Sequence, residues 1–178
     1  MRQMFPSHLF KAPFGAPFFL RAMGCSLALI GLLLASNAHA APDIPTQSVI
    51  TGDFQAVREA LVEMIETDGL VVSAVIPFGD MLARTGSALD KPGTPYSRVE
   101  IIQFCSALLA WRLVEEDASQ AALCPLSIAI FSTRAKPSRV VLAYRSPGRS
   151  SPGRIQADEL LRKIVSRAIE LAGYQRKP

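Results

Sequence analysis

The chain has 178 residues, of which 49% are apolar, and its 19 Lys+Arg and 15 Asp+Glu give a formal net charge of +4. This length fits one domain, and so large an apolar fraction excludes a wholly disordered chain. The net positive charge is unevenly distributed along the chain, because the first 40 residues contain three basic side chains and no acidic one.

Residues 1–40 are predicted to be a secretory signal peptide. An uncharged run of 14 residues at 23–36 follows the basic residues, and Ala38-His39-Ala40 places small side chains where a signal peptidase reads them. Cleavage between Ala40 and Ala41 leaves 138 residues with 16 basic and 15 acidic side chains, a net charge of +1. The run is shorter than the about 20 residues that a membrane span needs, so we expect no stable span after cleavage. An uncleaved anchor is the alternative.

The predicted mature chain contains no histidine, because both histidines of the sequence, His8 and His39, lie in the signal. Ser-His-Asp and Cys-His catalysis need an imidazole base and are therefore excluded, as are histidine-ligated zinc and haem. No glycine-rich phosphate loop occurs. We expect no catalytic residues, no metal site and no cofactor, although carboxylate, tyrosine, lysine, arginine or thiol chemistry stays open.

Hydrophobic periodicity predicts alternating strands and helices after the signal. Asp53 is a typical N-cap for the first helix, and Gly69 is suited to end it. Strands are predicted at 48–51, 70–78, 98–104, 125–133 and 139–144, helices at 53–68, 106–116 and 158–172, and single helical turns at 79–83 and 119–123. Loops are predicted at 85–95, 134–138 and 146–154, the last because its repeated Ser-Pro-Gly-Arg excludes regular structure.

This order predicts an α+β fold, a two-layer sandwich in which a mixed or antiparallel sheet of four to five strands is packed by helices. We assign one domain to residues 41–147. Residues 148–178 are predicted to add a turn-rich linker and an amphipathic helix that packs on the same domain.

Several blocks of the chain share a pattern of core and turn residues with a known family. They are Phe54 with the helix that ends at Gly69, Val75-Ile-Pro-Phe-Gly-Asp80, Ile101-Ile-Gln-Phe-Cys-Ser106, Leu123-Cys-Pro-Leu-Ser-Ile-Ala-Ile-Phe131 and residues 140–144. From about residue 51 to 144 the chain thus resembles the bacterial and archaeal family called domain of unknown function 302. The resemblance implies a compact α+β domain with no established activity, and places the two cysteines of the mature chain in an exported branch.

Those cysteines, Cys105 and Cys124, lie at the end of one predicted strand and the start of another. If the strands are antiparallel neighbours, both thiols lie at the same end of the sheet, and a disulfide is feasible within a Cα separation of about 7 Å. Export favours that disulfide. Two buried free thiols, or a redox or metal-binding pair, are the alternatives, although the spacing lacks the Cys-x-x-Cys form that activates thiols.

Charge is distributed unequally along the mature chain, with a net of −7 over residues 41–117 and +8 over 118–178. A basic patch for an anionic ligand or an acidic partner is one explanation, and mutual neutralisation of the two halves in the fold is the other. Nucleic acid is not an expected partner, because the mature chain is nearly neutral and has no nucleic-acid-binding motif.

A set of polar residues flanks the predicted strand ends and could line a cleft for a small polar ligand, although ordinary surface polarity explains them equally well. The set is Asp80, Tyr96, Arg98, Glu100 and Tyr144.

The sequence therefore favours a periplasmic or secreted protein that binds a small ligand or a periplasmic partner protein without catalysis. A thiol-based redox or metal-handling protein that uses Cys105 and Cys124 is the alternative.

Overall fold

The computed structural model describes residues 44–175. The predicted signal peptide and its cleavage site between Ala40 and Ala41 lie outside the described residues. The strands are β1 (Thr46–Thr51), β2 (Val71–Ile76), β3 (Tyr96–Cys105), β4 (Leu126–Thr133) and β5 (Lys136–Tyr144). The α-helices are α1 (Phe54–Thr67), α2 (Phe78–Gly86), α3 (Ala107–Glu116) and α4 (Pro152–Tyr174), with 3-10 helices at Ser87–Leu89 and Ala118–Leu123.

All five strands form one sheet in the order β1-β5-β4-β3-β2, and every neighbouring pair is antiparallel. The predicted α+β fold is confirmed, and the sheet is antiparallel rather than mixed.

Helix α1 begins where the sequence predicts it to begin. The Asp53 carboxylate accepts a hydrogen bond from the Ala56 backbone N–H at 3.0 Å, so it satisfies a donor that the first helical turn cannot. Gly69 follows the helix with φ of 72°, a left-handed conformation that costs glycine little. These two residues set the two ends of the helix.

One face of the sheet, here called the inner face, packs against α1 and α4. Its central side chains are register partners across β3, β4 and β5, with Ile102 opposite Ile128 and Ile130 opposite Leu142, and all four are fully buried. These residues belong to one continuous apolar core with the buried faces of α1 and α4. Among residues 44–175, α1 and α4 form the helix layer on this face, while α2 packs only beside Val99 on the other, so the architecture is the predicted two-layer sandwich.

Helix α4 begins six residues earlier than predicted, so the expectation that Pro and Gly keep 146–154 irregular is wrong for its last three residues. Ser151 is the N-cap and accepts from the Arg154 N–H, and Pro152 occupies the first turn, where its missing N–H is not needed. Glu116, at the end of α3, accepts from the Gly153 N–H at 2.7 Å and from the Ser151 hydroxyl. A carboxylate at this position favours the helix start electrostatically.

Two further loop predictions are also wrong. Strand β5 starts at Lys136, inside the predicted loop 134–138. Pro137 falls in the irregular stretch of the β4–β5 pairing between Lys136 and Val140, where proline is tolerated. Helix α2 and the 3-10 turn after it occupy the start of the predicted loop 85–95. Gly86 is accommodated within this helical stretch.

Candidate functional site

The face of the sheet opposite α1 and α4, here called the outer face, is apolar at its centre. Its floor consists of register partners on three adjacent strands: Val99 lies opposite Phe131, and Ile101 opposite Ala129, which in turn lies opposite Ala143. Antiparallel sheets packed on one side usually present polar residues on the other. An apolar outer face therefore calls for an explanation.

A groove of about 660 Å³ runs over this floor. Gln47 of β1 lines it on one side and Phe78 of α2 on the other, while Leu123, Pro125 and Pro147 are among the residues that line its end. The volume falls in the range of small-molecule sites, about 300 to 1,000 Å³.

Gly79 lets α2 approach the sheet beside the groove. A Cβ atom at this position would lie 3.3 Å from the Val99 Cγ1 atom, closer than ordinary van der Waals contact. The absence of that atom allows the helix to pack close to β3 and to place Phe78 at the groove wall.

Asp158, a buried carboxylate of α4, holds the loop at the groove end. Its side chain accepts from the Ser146 hydroxyl at 2.7 Å, from Arg149 at 3.2 Å and from Arg162 at 2.7 Å. Ser146 itself lines the groove. This carboxylate therefore sets the shape of the groove end.

Burial by itself raises the pKa of Asp158, but the hydrogen bonds from Ser146, Arg162 and Arg149 outweigh it, so the pKa is lowered from its ordinary value of 3.8. Asp158→Asn should therefore lower the free energy of unfolding at pH 7 by about 1 to 3 kcal/mol. A depressed carboxyl pKa contributes its stability above the ordinary value and loses it as pH falls through the folded-state value. Urea unfolding at pH 7 and in strong acid should show the difference between the two proteins shrinking in acid. A difference that stays constant with pH would contradict this role.

The unequal charge of the two chain halves is partly neutralised in the fold. Asp68, from the acidic half, forms ion pairs with Lys163 at 2.9 Å and with Arg167 at 2.7 Å, both from the basic half. Arg149 is paired within the basic half, to Asp158. These contacts favour neutralisation over a continuous basic patch.

Cys105 and Cys124 lie at the same end of the sheet. Strands β3 and β4 are antiparallel neighbours, and Phe104 pairs with Leu126. Cys105 directly follows Phe104, and Cys124 stands two residues before Leu126. Both are free thiols and half-buried, and Cys105 lies close enough to Cys124 to affect the pKa of its thiol. The juxtaposition required for a disulfide is present, and the disulfide itself stays a prediction.

Burial, and then the neighbouring Cys105, raise the pKa of the Cys124 thiol. Reactive cysteines need the opposite shift, because the thiolate is the nucleophile and the metal ligand. Within residues 44–175, no three His, Cys, Asp or Glu side chains are grouped so that they could hold a metal ion.

Four of the five polar residues predicted to flank the strand ends lie around one cavity. Asp80, Tyr96, Arg98 and Glu100 line a second cavity of about 380 Å³. Tyr144 does not join them, since it is 4% exposed in the inner core and borders the groove instead.

The groove floor is not among the features predicted from the sequence, although the residue pattern of β4 indicates it. Its inward Ile128 and Ile130 alternate with the apolar Ala129 and Phe131, so both faces of the strand are apolar. Such a strand is typically covered on both sides.

Comparison with known proteins identifies a family but no activity. The model of the family described as domain of unknown function DUF302 matches residues 46–171, which include most of α4. No curated protein is detectably similar to the chain. A crystal structure of an uncharacterized conserved protein DUF302 from Bacillus stearothermophilus shares 14% identity over 75% of this chain and 95% of that chain, with a TM-score of 0.49.

Proposed function

Because the chain belongs to the family of domain of unknown function DUF302, whose description assigns no reaction, we propose a function from the groove itself: an exported, non-catalytic domain that binds a small ligand with an apolar body. The observation that carries this proposal is the apolar floor on the sheet face that α1 and α4 leave uncovered. Ile101, Ala129 and Phe131 on this floor are only half-buried, so covering them with an apolar ligand removes their remaining surface from water and favours binding.

The polar groups at the groove edge suit a ligand with one polar or anionic end. Gln47 and Ser127 supply hydrogen-bonding groups, and Arg145 is the single charged side chain among the described residues that line the groove. A few convergent polar groups around an apolar surface are the usual composition of a ligand site.

Export is the second part of the proposal, and the signal-like N-terminus supports it. In the described part of the chain, no helix is both long and apolar enough to cross a membrane. Intact-mass measurement of protein recovered from the periplasm should give a chain that begins at Ala41. A recovered chain that retains residues 1–40 would contradict cleavage.

The alternative, thiol-based redox or metal handling, is less well supported. A raised pKa keeps the Cys124 thiol protonated at neutral pH, whereas redox and metal-binding thiols are used as thiolates.

Ala129→Trp tests the groove directly. Ala129 lies in the middle of the floor, between Ile101 and Ala143, so an indole there would fill the space that a ligand occupies. With 8-anilinonaphthalene-1-sulfonate as the fluorescent probe, we expect at least about tenfold weaker binding than in the wild type.

Ala107→Trp is the matched control, because Ala107 is exposed at the start of α3 and does not line the groove. It should bind the probe as the wild type does. Trp111→Ala serves as a second control, since Trp111 is 68% exposed on α3 and could attract an apolar probe by itself. Unchanged binding in Ala129→Trp, or loss in Trp111→Ala, would overturn the proposal.

A further inference from the structure

One end of the groove over the outer face carries a positive side chain. Ala129 lies opposite Ala143 in the antiparallel β4–β5 pair, and both line the groove. Two residues further toward the same end of the sheet, the chain reaches Ser127 on β4 and Arg145 just after β5. Side chains two positions apart point to the same face of a sheet, and both residues belong to the groove lining. We call this the cationic end.

The loop that carries Arg145 is held in place by α4. The Ser146 hydroxyl donates to Asp158 at 2.7 Å. Arg154 donates to the Pro147 carbonyl oxygen at 2.8 Å. These bonds order the residues next to Arg145 before a ligand arrives, which reduces the entropic cost of binding. Five N–H donors allow one guanidinium to hold a carboxylate alongside another contact.

The charges at the cationic end favour a negative head group. Among the described residues that line the groove there is no Asp or Glu, and Arg145 carries the single charge. Asp158, which accepts from Ser146, is compensated by Arg149 at 3.2 Å and Arg162 at 2.7 Å. A cationic head group would therefore meet a guanidinium and no carboxylate of the lining, whereas an anionic one gains a charge-assisted hydrogen bond.

The opposite end of the groove is aromatic. Phe131 on β4 and Tyr96 on β3 meet edge-to-face with ring centroids 5.5 Å apart. Gly79 packs on Val99, the register partner of Phe131, so α2 brings Phe78 to the same end. This aromatic end favours the apolar part of a ligand.

The middle of the groove is a trough between the two ends. Its floor is formed by Ala129 and Ala143, whose strands lie about 4.8 Å apart. Their outer register partners, Ile101 on β3 and Gln47 on β1, flank the trough on its two sides. Small side chains between larger ones leave room for an alkyl chain that lies along the strands.

Building on the proposed function of the groove as a ligand site, on which this inference rests, we propose that its ligands are medium-chain alkyl carboxylates. The carboxylate lies at the cationic end, and the chain runs over Ala129 to the aromatic end. The four residue steps from Ser127 to Phe131 span about 14 Å. An extended chain gains about 1.2 Å per bond, so about ten to twelve carbons match this length.

Isothermal titration calorimetry of the purified protein with decanoate, 1-decanol and decylammonium tests the head group at constant chain length. We expect decanoate to bind about tenfold more tightly than 1-decanol, because only the carboxylate makes a charge-assisted contact with Arg145. Decylammonium should bind most weakly. Binding of 1-decanol or decylammonium as tight as that of decanoate would overturn the proposal.

Arg145→Gln should weaken decanoate binding about tenfold and leave 1-decanol binding unchanged, which also shows that the variant is folded. Arg139→Gln is the matched control, because Arg139 is exposed on β5, the strand that precedes Arg145, and does not line the groove. It should bind decanoate as the wild type does. Decanoate binding that is unaffected by Arg145→Gln would contradict the assigned head-group contact.

Amide shifts in ¹H–¹⁵N NMR test the orientation of the chain. Hexanoate is too short to span the trough, so it should shift Ser127 and Arg145 but not Phe131. Decanoate should shift all three. Hexanoate shifts confined to Phe131 and Val99 would contradict the orientation.

The ligand class and the groove are tested separately. If the anilinonaphthalene probe binds the wild type but not Ala129→Trp, while decanoate binds no better than 1-decanol or does not bind, the groove is a ligand site and the carboxylate assignment is wrong. If the probe binds Ala129→Trp as it binds the wild type, the proposed function itself fails.

Discussion

Phe104→Ala should lower the free energy of unfolding by about 3 to 5 kcal/mol, the cost of removing a fully buried aromatic ring from a core. Phe104 lies on the inner face of β3, opposite Leu126 and Val72, and is 0% exposed. The packed helix layer prevents water from filling the space left by the ring. Urea unfolding followed by circular dichroism measures the change.

Phe131→Ala is the matched variant on the outer face. Phe131 is only half-buried, and its ring meets Tyr96 edge-to-face with centroids 5.5 Å apart. Because the ring is only half-buried, we expect a smaller loss than for Phe104→Ala, about 1.5 to 3 kcal/mol from its partial burial and the aromatic contact together. A loss equal to that of Phe104→Ala would show that the outer face is a second closed core rather than an open groove.

Protein recovered from the periplasm should contain no titratable thiol at Cys105 or Cys124, and reduction should lower its free energy of unfolding by about 3 kcal/mol. Cys105 already lies close enough to raise the pKa of the Cys124 thiol, and an oxidising compartment favours the bond. Closing the chain from 105 to 124 restricts the unfolded state, which is the source of the stabilisation in the chain-entropy model. A thiol count on denatured, unreduced protein tests for the disulfide. Urea unfolding with and without reductant measures its contribution to the free energy of unfolding.

The double variant, Cys105→Ser with Cys124→Ser, is the control for the reductant itself. Its unfolding free energy should be the same with and without reductant. Two free thiols in the denatured, unreduced wild type would contradict the disulfide.

Much of the fold follows from local sequence patterns. N-caps locate two helices, since Asp53 and Ser106 both accept from backbone N–H groups in the first turn. Alternating β-branched residues locate the strands because their side chains pack well on a pleated sheet. The start of α4 was missed because Ser151-Pro152 is compatible with either a loop or an N-cap, and the deciding contact comes from Glu116, distant in sequence.

The candidate sites were harder to predict, because they depend on which sheet face the helices leave open. Ala129 is a small residue in mid-strand, and nothing local distinguishes it from an inward one. Asp80 and Arg134 are 54 positions apart in sequence, and only the tertiary fold brings both to the lining of one cavity. The proximity of Cys105 and Cys124 was easier to predict, since antiparallel pairing of two adjacent strands suffices to bring the two cysteines together.

The most direct test of the central claim, that the outer face of the sheet is a ligand site, is a two-dimensional ¹H–¹⁵N NMR titration with 8-anilinonaphthalene-1-sulfonate. We expect saturable shifts at the amides of Ile101, Ala129 and Ala143, which line the groove, and none of these shifts in Ala129→Trp. Shifts confined to Leu108 and Trp111, which are exposed on α3, would contradict it.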